Sequence, residues 1–227
     1  MTFDDVMLRL AAAGSEQTRK TYGRHGVTGP MYGVSFAELG KLHKAIKQDQ
    51  ALAQQLWDTG NHDARVLATM VADVKQMDVA QLETWLGQID NAPLSDLFAT
   101  MVARSPLSPT CIERWRASEA ELTAKVCWNL VASRAIDPQP LDDSWFEPWL
   151  TEINAQIHQR PDRIRHAMNQ ALIAIGSRSS GLEQQARIVA KAIGKVQVDH
   201  GQTACKTPDA ISYLERTLAK KGHVVKA

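Results

Sequence analysis

The residues best suited to chemistry in this chain are cations spaced for a helix surface. Arg187, Lys191 and Lys195 recur at i, i+4 and i+8, which predicts one basic stripe, with Ala186, Val189, Ala190 and Ile193 forming the apolar side of the same helix. Arg163 and Arg165 follow an Arg160-Pro161-Asp162 turn, and Arg178 closes the same helix after Gly176. Side chains of this kind neutralise phosphates, the source of non-specific DNA affinity, although a solvated helix face gives an equally regular stripe. Asp96, read alone, is an acid near the start of a Leu94–Ala103 helix, where the helix dipole favours it. His200 and Cys205 stand at an H-x4-C spacing, but two ligands do not make a zinc site, so no metal is expected. They fit a turn around Gly201 and a tether for the last helix better. Cys111, at the third position of its helix, stands where a thiol pKa is lowered, but no local His or Asn pattern supports a nucleophile. Glycine-rich phosphate loops and Gly-x-Ser-x-Gly or Ser-x-x-Lys motifs are absent.

The elements that must carry these groups read as helices throughout. Ser35-Phe36-Ala37-Glu38, Ser118-Glu119-Ala120-Glu121 and Ser180-Gly181-Leu182-Glu183 each match a capping box. Asn61 and Asp78 stand as caps before apolar stripes of helical period, Val66-Leu67-Met70-Val71-Val74 and Val79-Leu82-Leu86-Ile89. Thr207-Pro208-Asp209 opens the last helix and Gly222 ends it as a C′ residue. No window sustains period-two alternation, so no β-sheet is expected. The expected fold is all-α: a HEAT-like α-solenoid of antiparallel helix pairs, curved, and one domain over residues 1–227. Pro138 and Pro140, with Asp137, Asp142 and Asp143, form a connection between helices within that domain.

The chain has 227 residues, 44% of them hydrophobic, enough for a core without disulfide or metal staples. Residues 1–150 hold 14 Lys/Arg against 19 Asp/Glu, and residues 151–227 hold 12 against 6, within an overall net charge of +1. The total excludes a uniformly basic nucleic-acid coat; the imbalance points to one end that meets polyanions. Three cysteines at unrelated spacings fit reduced thiols, and no apolar run approaches a membrane span, so a soluble, cytoplasmic protein is expected.

Five segments resemble the DNA alkylation repair family, the HEAT-like helical proteins best known as alkylpurine DNA glycosylases. They are Tyr32-Gly33-Val34-Ser35 with the helix through Lys41; Leu56-Trp57-x-x-Gly60-Asn61-His62-Asp63-Ala64-Arg65-Val66-Leu67-Ala68; and the Asp90-Asn91 turn leading to Asp96. The other two are Ala167-Met168-Asn169-x-Ala171-Leu172-Ile173-x-Ile175-Gly176 and the run from Gly194 to Ala210. The resemblance implies hydrolysis of the N-glycosidic bond of a positively charged alkylated purine in duplex DNA, without a cofactor. A carboxylate would stabilise the developing sugar cation and orient water, and aromatic rings would hold the cationic base.

On that pattern Asp96 matches the catalytic carboxylate. Ala92 and Gln170 stand where the family carries tryptophans, and Lys125 where it carries an arginine. Losing both rings removes about 0.5 to 2 kcal/mol of cation–π attraction each. Lys125 would then meet a phosphate as a point charge, and Trp128, one turn on, is either a substitute ring or a core residue. Asp63 and Arg65 read as structural, Asp63 in the first turn and Arg65 reaching a carboxylate on a neighbouring repeat. Three functions are thus consistent with the sequence: an alkylpurine glycosylase, a non-catalytic module binding DNA of unusual shape, and a protein–protein adaptor.

Overall fold

The structure, a computed structural model, describes residues 1–137 and 141–224; Pro138 and Pro140 of the expected connection lie outside them. Thirteen α-helices follow one another among the described residues. They are α1 (Phe3–Ala13), α2 (Glu16–Arg24), α3 (Phe36–Ile46), α4 (Gln50–Asp58), α5 (His62–Val71), α6 (Val79–Gly87) and α7 (Ala92–Ala103). Then come α8 (Ser108–Trp115), α9 (Glu121–Ile136), α10 (Glu147–Gln156), α11 (Asp162–Gly176), α12 (Ser180–Ile193) and α13 (Ala210–Val224). A single Gly14–Val34 bridge is the extent of β pairing among the described residues, so the all-α expectation holds.

Most helix starts sit where the caps put them. The Asn61 side chain accepts the Ala64 amide, and Asp78 forms a full capping box with Gln81. The three expected Ser/Glu boxes fare differently. Ser35 caps α3, but the Glu38 carboxylate turns to Lys41 at 2.7 Å instead of reaching back. Ser118 lies ahead of α9, its hydroxyl accepting the Ala120 amide in the turn before the helix. At α12 the cap moves back one residue to Ser179, whose hydroxyl also donates to the Asp143 carboxylate and is fixed by it. The last helix continues past Gly222 to Val224, so that glycine does not end it.

The chain divides into two compact units: Met1–Arg114 with Gly201–Thr203, and Trp115–His200 with Ala204–Ala227. In the first, α4 packs on α5, and α5 on α3 and α7. Trp57 and Trp85 stack with ring centroids 4.1 Å apart. Each indole N–H finds a glutamine, Trp57 donating to Gln88 and Trp85 to Gln54, which is what makes burying two such rings tolerable. Arg65 lies over the Trp57 ring and donates to the carbonyls of Trp57 and Gln88. It therefore bridges helix ends through backbone oxygens, not through the carboxylate that the sequence suggests.

In the second unit α11 is the hub, packed on α9, α10, α12 and α13. Its buried face runs through Ile164, Ala167, Met168, Ala171, Leu172 and Ile175. Gly176 closes that face because nothing larger fits: a Cβ there would stand 2.7 Å from Ala186 Cβ and 2.9 Å from Leu214 Cδ2, where α12 and α13 come in. Residues 194–200 and 204–209 are tied to α11 by polar contacts. Arg165 donates to the Gln197 carbonyl and Asn169 to the Pro208 carbonyl, while His158, ahead of α11, lies 2.8 Å from the carbonyl of Ile193 at the end of α12.

Candidate nucleic-acid interface

Helix α12 presents an exposed cation, Lys191, on the outward face of the second unit. Leu182, Ala186, Ala190 and Ile193 face inward, which turns Gln184, Ile188, Lys191 and Ala192 outward. Lys191 is exposed and has no ion-pair partner among the described residues. Arg187 differs: its guanidinium bonds Glu183 at 2.9 Å and Glu215 of α13 at 3.3 Å, so much of its charge is already answered. The expected three-turn stripe is also shorter than its spacing implies. Gly194, at φ +62°, ends α12 at Ile193, and Lys195 lies beyond the helix, exposed. Its charge is felt by Asp209, whose carboxyl is held below the ordinary range chiefly by the Ser212 amide and hydroxyl and then by Lys195 and Arg216. The surviving pair is thus Lys191 on the helix and Lys195 just past it.

The other expected DNA contacts occupy different places. Arg178 is a structural clamp: it donates to Asp143 and to the carbonyls of Ala135, Asp137 and Leu141, and lies over the Phe146 ring. Arg165 is spent on the Arg160 and Gln197 carbonyls. The guanidinium fork has five donors, and buried carbonyls at segment ends draw it inward. Arg163 remains on the surface, paired with Glu121 at 3.4 Å. Lys125 is only 5% exposed, and Trp128 is buried edge-on against Trp149 at 5.2 Å. Neither the ammonium nor the ring stands open to DNA, because α9 is buried on nearly all sides. Trp128 takes the core alternative.

Asp96 is in the first unit, the fifth residue of α7, which begins two residues earlier than expected, at Ala92 after the Asn91 cap. That position puts Asp96 beyond the first turn. Its side chain is exposed, while Ser95 beside it is fully buried. No aromatic residue stands at position 92, and Gln170 in the second unit lies 3.5 Å from the His166 ring.

The motif residues around Asn61 prove to be architecture. Asp63 is completely buried, and its carboxylate accepts three consecutive amides: Tyr32 at 2.6 Å, Gly33 at 3.0 Å and Val34 at 2.7 Å. The Tyr32-Gly33-Val34 and His62-Asp63-Ala64-Arg65 motifs, far apart in sequence, are therefore two halves of one joint. Gly33 has φ +79°, and a Cβ there would fall 2.6 Å from the Ser15 carbonyl oxygen, which explains a glycine at the centre of the run. His62 packs its ring edge on Tyr22, and burial holds its pKa below the ordinary histidine value.

The sequence carries no motif that marks His166. Its Nδ1 and the Nε2 of His200 lie 3.0 and 2.9 Å from the Thr207 hydroxyl, so His200 does tether the start of the last helix. No group of three potential metal ligands occurs among the described residues. Cys111 is buried, and its thiol is pushed up to about 11, first by burial and then by Glu83, the opposite of the lowered value its position suggested. Among the described residues no helix is long and apolar enough to cross a membrane.

Three comparisons bear on this architecture. The sequence pattern of the DNA alkylation repair enzyme family matches residues 6–214. An uncharacterized protein of Listeria innocua, Lin0241, is 28% identical over 222 residues, covering 95% of this chain and 97% of that protein. Its counterpart in Listeria monocytogenes, Lmo0209, matches with the same identity and coverage. Among solved structures, a protein described as belonging to "a new family of proteins related to the HEAT-like repeat DNA glycosylases with affinity for branched DNA structures" superposes with a TM-score of 0.89 at 28% identity. The match covers 97% of this chain and 95% of that one, and makes the fold HEAT-like.

Proposed function

Because the chain belongs to the DNA alkylation repair enzyme family, we propose that it is a cytoplasmic DNA-binding member that recognises branched DNA and does not excise bases. The observation that carries this reading is the exposed cation pair Lys191 and Lys195 in a chain that lacks the tryptophans of the family pattern. At the positions where the family resemblance places two tryptophans and an arginine stand Ala92, Gln170 and the buried Lys125. Without rings over the lesion, the cation–π attraction that would hold an alkylated purine is gone. What remains is the backbone-directed part of recognition, in which cations meet phosphates without reading bases. The affinity for branched DNA ascribed to the structural neighbour gives that part a target.

A second reading, hydrolysis of alkylpurine N-glycosidic bonds in duplex DNA, is favoured by one feature: Asp96, which matches the carboxylate in the family resemblance, is exposed to solvent. A carboxylate there would stabilise the sugar cation electrostatically, with no cofactor, because the leaving purine is already charged. The two readings separate on N-methylated duplex DNA. The first predicts that release of 3-methyladenine and 7-methylguanine, measured by chromatography, stays at the uncatalysed rate. Release above that rate, abolished in Asp96→Asn, would establish the second instead.

A further inference from the structure

Ile188 is 69% exposed on the outward crest of α12, with Gln184 one turn before it and Lys191 and Ala192 one turn after. A β-branched aliphatic side chain is costly to leave in water, and lone exposed residues of this kind are ordinary on protein surfaces. What distinguishes this one is its company. Gln184 and the exposed Lys191 flank it on the same crest, and Lys195 follows just past the helix end.

We infer that Ile188 is an apolar wedge that seats against the open base-pair face at a DNA branch point while Lys191 and Lys195 hold the adjoining phosphates. This deepens the branched-DNA reading and rests on it. In continuous duplex every base pair is stacked on both sides, and inserting an aliphatic side chain requires prising a step apart and losing its stacking. At a junction the stack of an arm can end in a pair with one bare face. An isoleucine there loses its contact with water and covers the ring surface without breaking a stack. The wedge would thus convert a general attraction for phosphates into a preference for branch points. Its aliphatic character suits the purpose: it covers a flat surface of any sequence and makes no hydrogen bond to a base edge.

The test uses the full chain with Ile188→Ser and Ile188→Leu, on an immobile four-way junction carrying 2-aminopurine at the branch point and on a linear duplex of one arm's sequence. Because the side chain is exposed, melting curves of the variants should overlay the parent. The expected result is a loss of junction affinity in Ile188→Ser about tenfold larger than any loss on the duplex. Ile188→Leu should retain the affinity, and the 2-aminopurine response seen with the parent should fade in the serine variant. Equal losses on both DNAs, or no loss at all, with the parent still preferring the junction, would overturn the wedge and leave the branched-DNA reading intact. A parent protein that binds junction and duplex alike would overturn that reading and the wedge with it.

Discussion

Asp63→Ala should lower the stability of the protein by about 3 to 5 kcal/mol. The carboxylate takes the amides of Tyr32, Gly33 and Val34 in a site with no exposure to water. Alanine would strand all three donors, each costing about 1 to 3 kcal/mol when left buried and unpaired. Asp63→Asn tests the same joint more finely. Its single acceptor oxygen can serve at most part of the set, and its own N–H2 would face another donor. Asparagine should therefore destabilise as well, by less than alanine. Urea denaturation followed by circular dichroism measures both, and a change below about 1 kcal/mol in the alanine variant would show that the joint is not what holds the first helices to α5.

Reversing charge at Lys191 and Lys195 together, to glutamate, should weaken DNA binding by about 10- to 100-fold at low salt and flatten its salt dependence. Each phosphate contact contributes about −0.9 to the slope of log K against log salt, so losing two should make the slope shallower by about 2. Both side chains are exposed, and only Lys195 has a charged neighbour, Asp209, so the melting temperature should fall by no more than a few degrees. Arg187 is better left in place: its bonds to Glu183 and Glu215 tie α12 to α13, and a reversal there would mix binding with stability. A fall in affinity with an unchanged slope would mean that the two lysines act other than through phosphates.

The helical fold is legible in the sequence because its signals are local. Asn61 caps α5 through the Ala64 amide, and Asp78 closes a box with Gln81, both readable from residues three apart. The shift of the α12 cap from Ser180 to Ser179 is not readable that way, since Asp143, far back in the chain, fixes it. The same distance hides the work of Arg165 and Arg178, whose partners are carbonyls of residues remote in sequence. Lys125 and Trp128 mislead for another reason. Helix α9 buries Ala124, Lys125, Val126, Cys127, Trp128, Leu130 and Val131, so no outward face can be told from its pattern. The end of the cationic stripe, by contrast, was written plainly: a glycine at 194 between two lysines is the residue that most readily takes the positive φ that stops a helix.

Preference for branched DNA is measured by competition between a four-way junction and a linear duplex of equal nucleotide content for the unmodified protein, at one fixed salt concentration. The junction should displace labelled duplex at a concentration at least about tenfold lower than duplex itself requires, a difference of about 1.4 kcal/mol. Equal displacement by the two DNAs, or no binding to either at low salt, would contradict the branched-DNA reading.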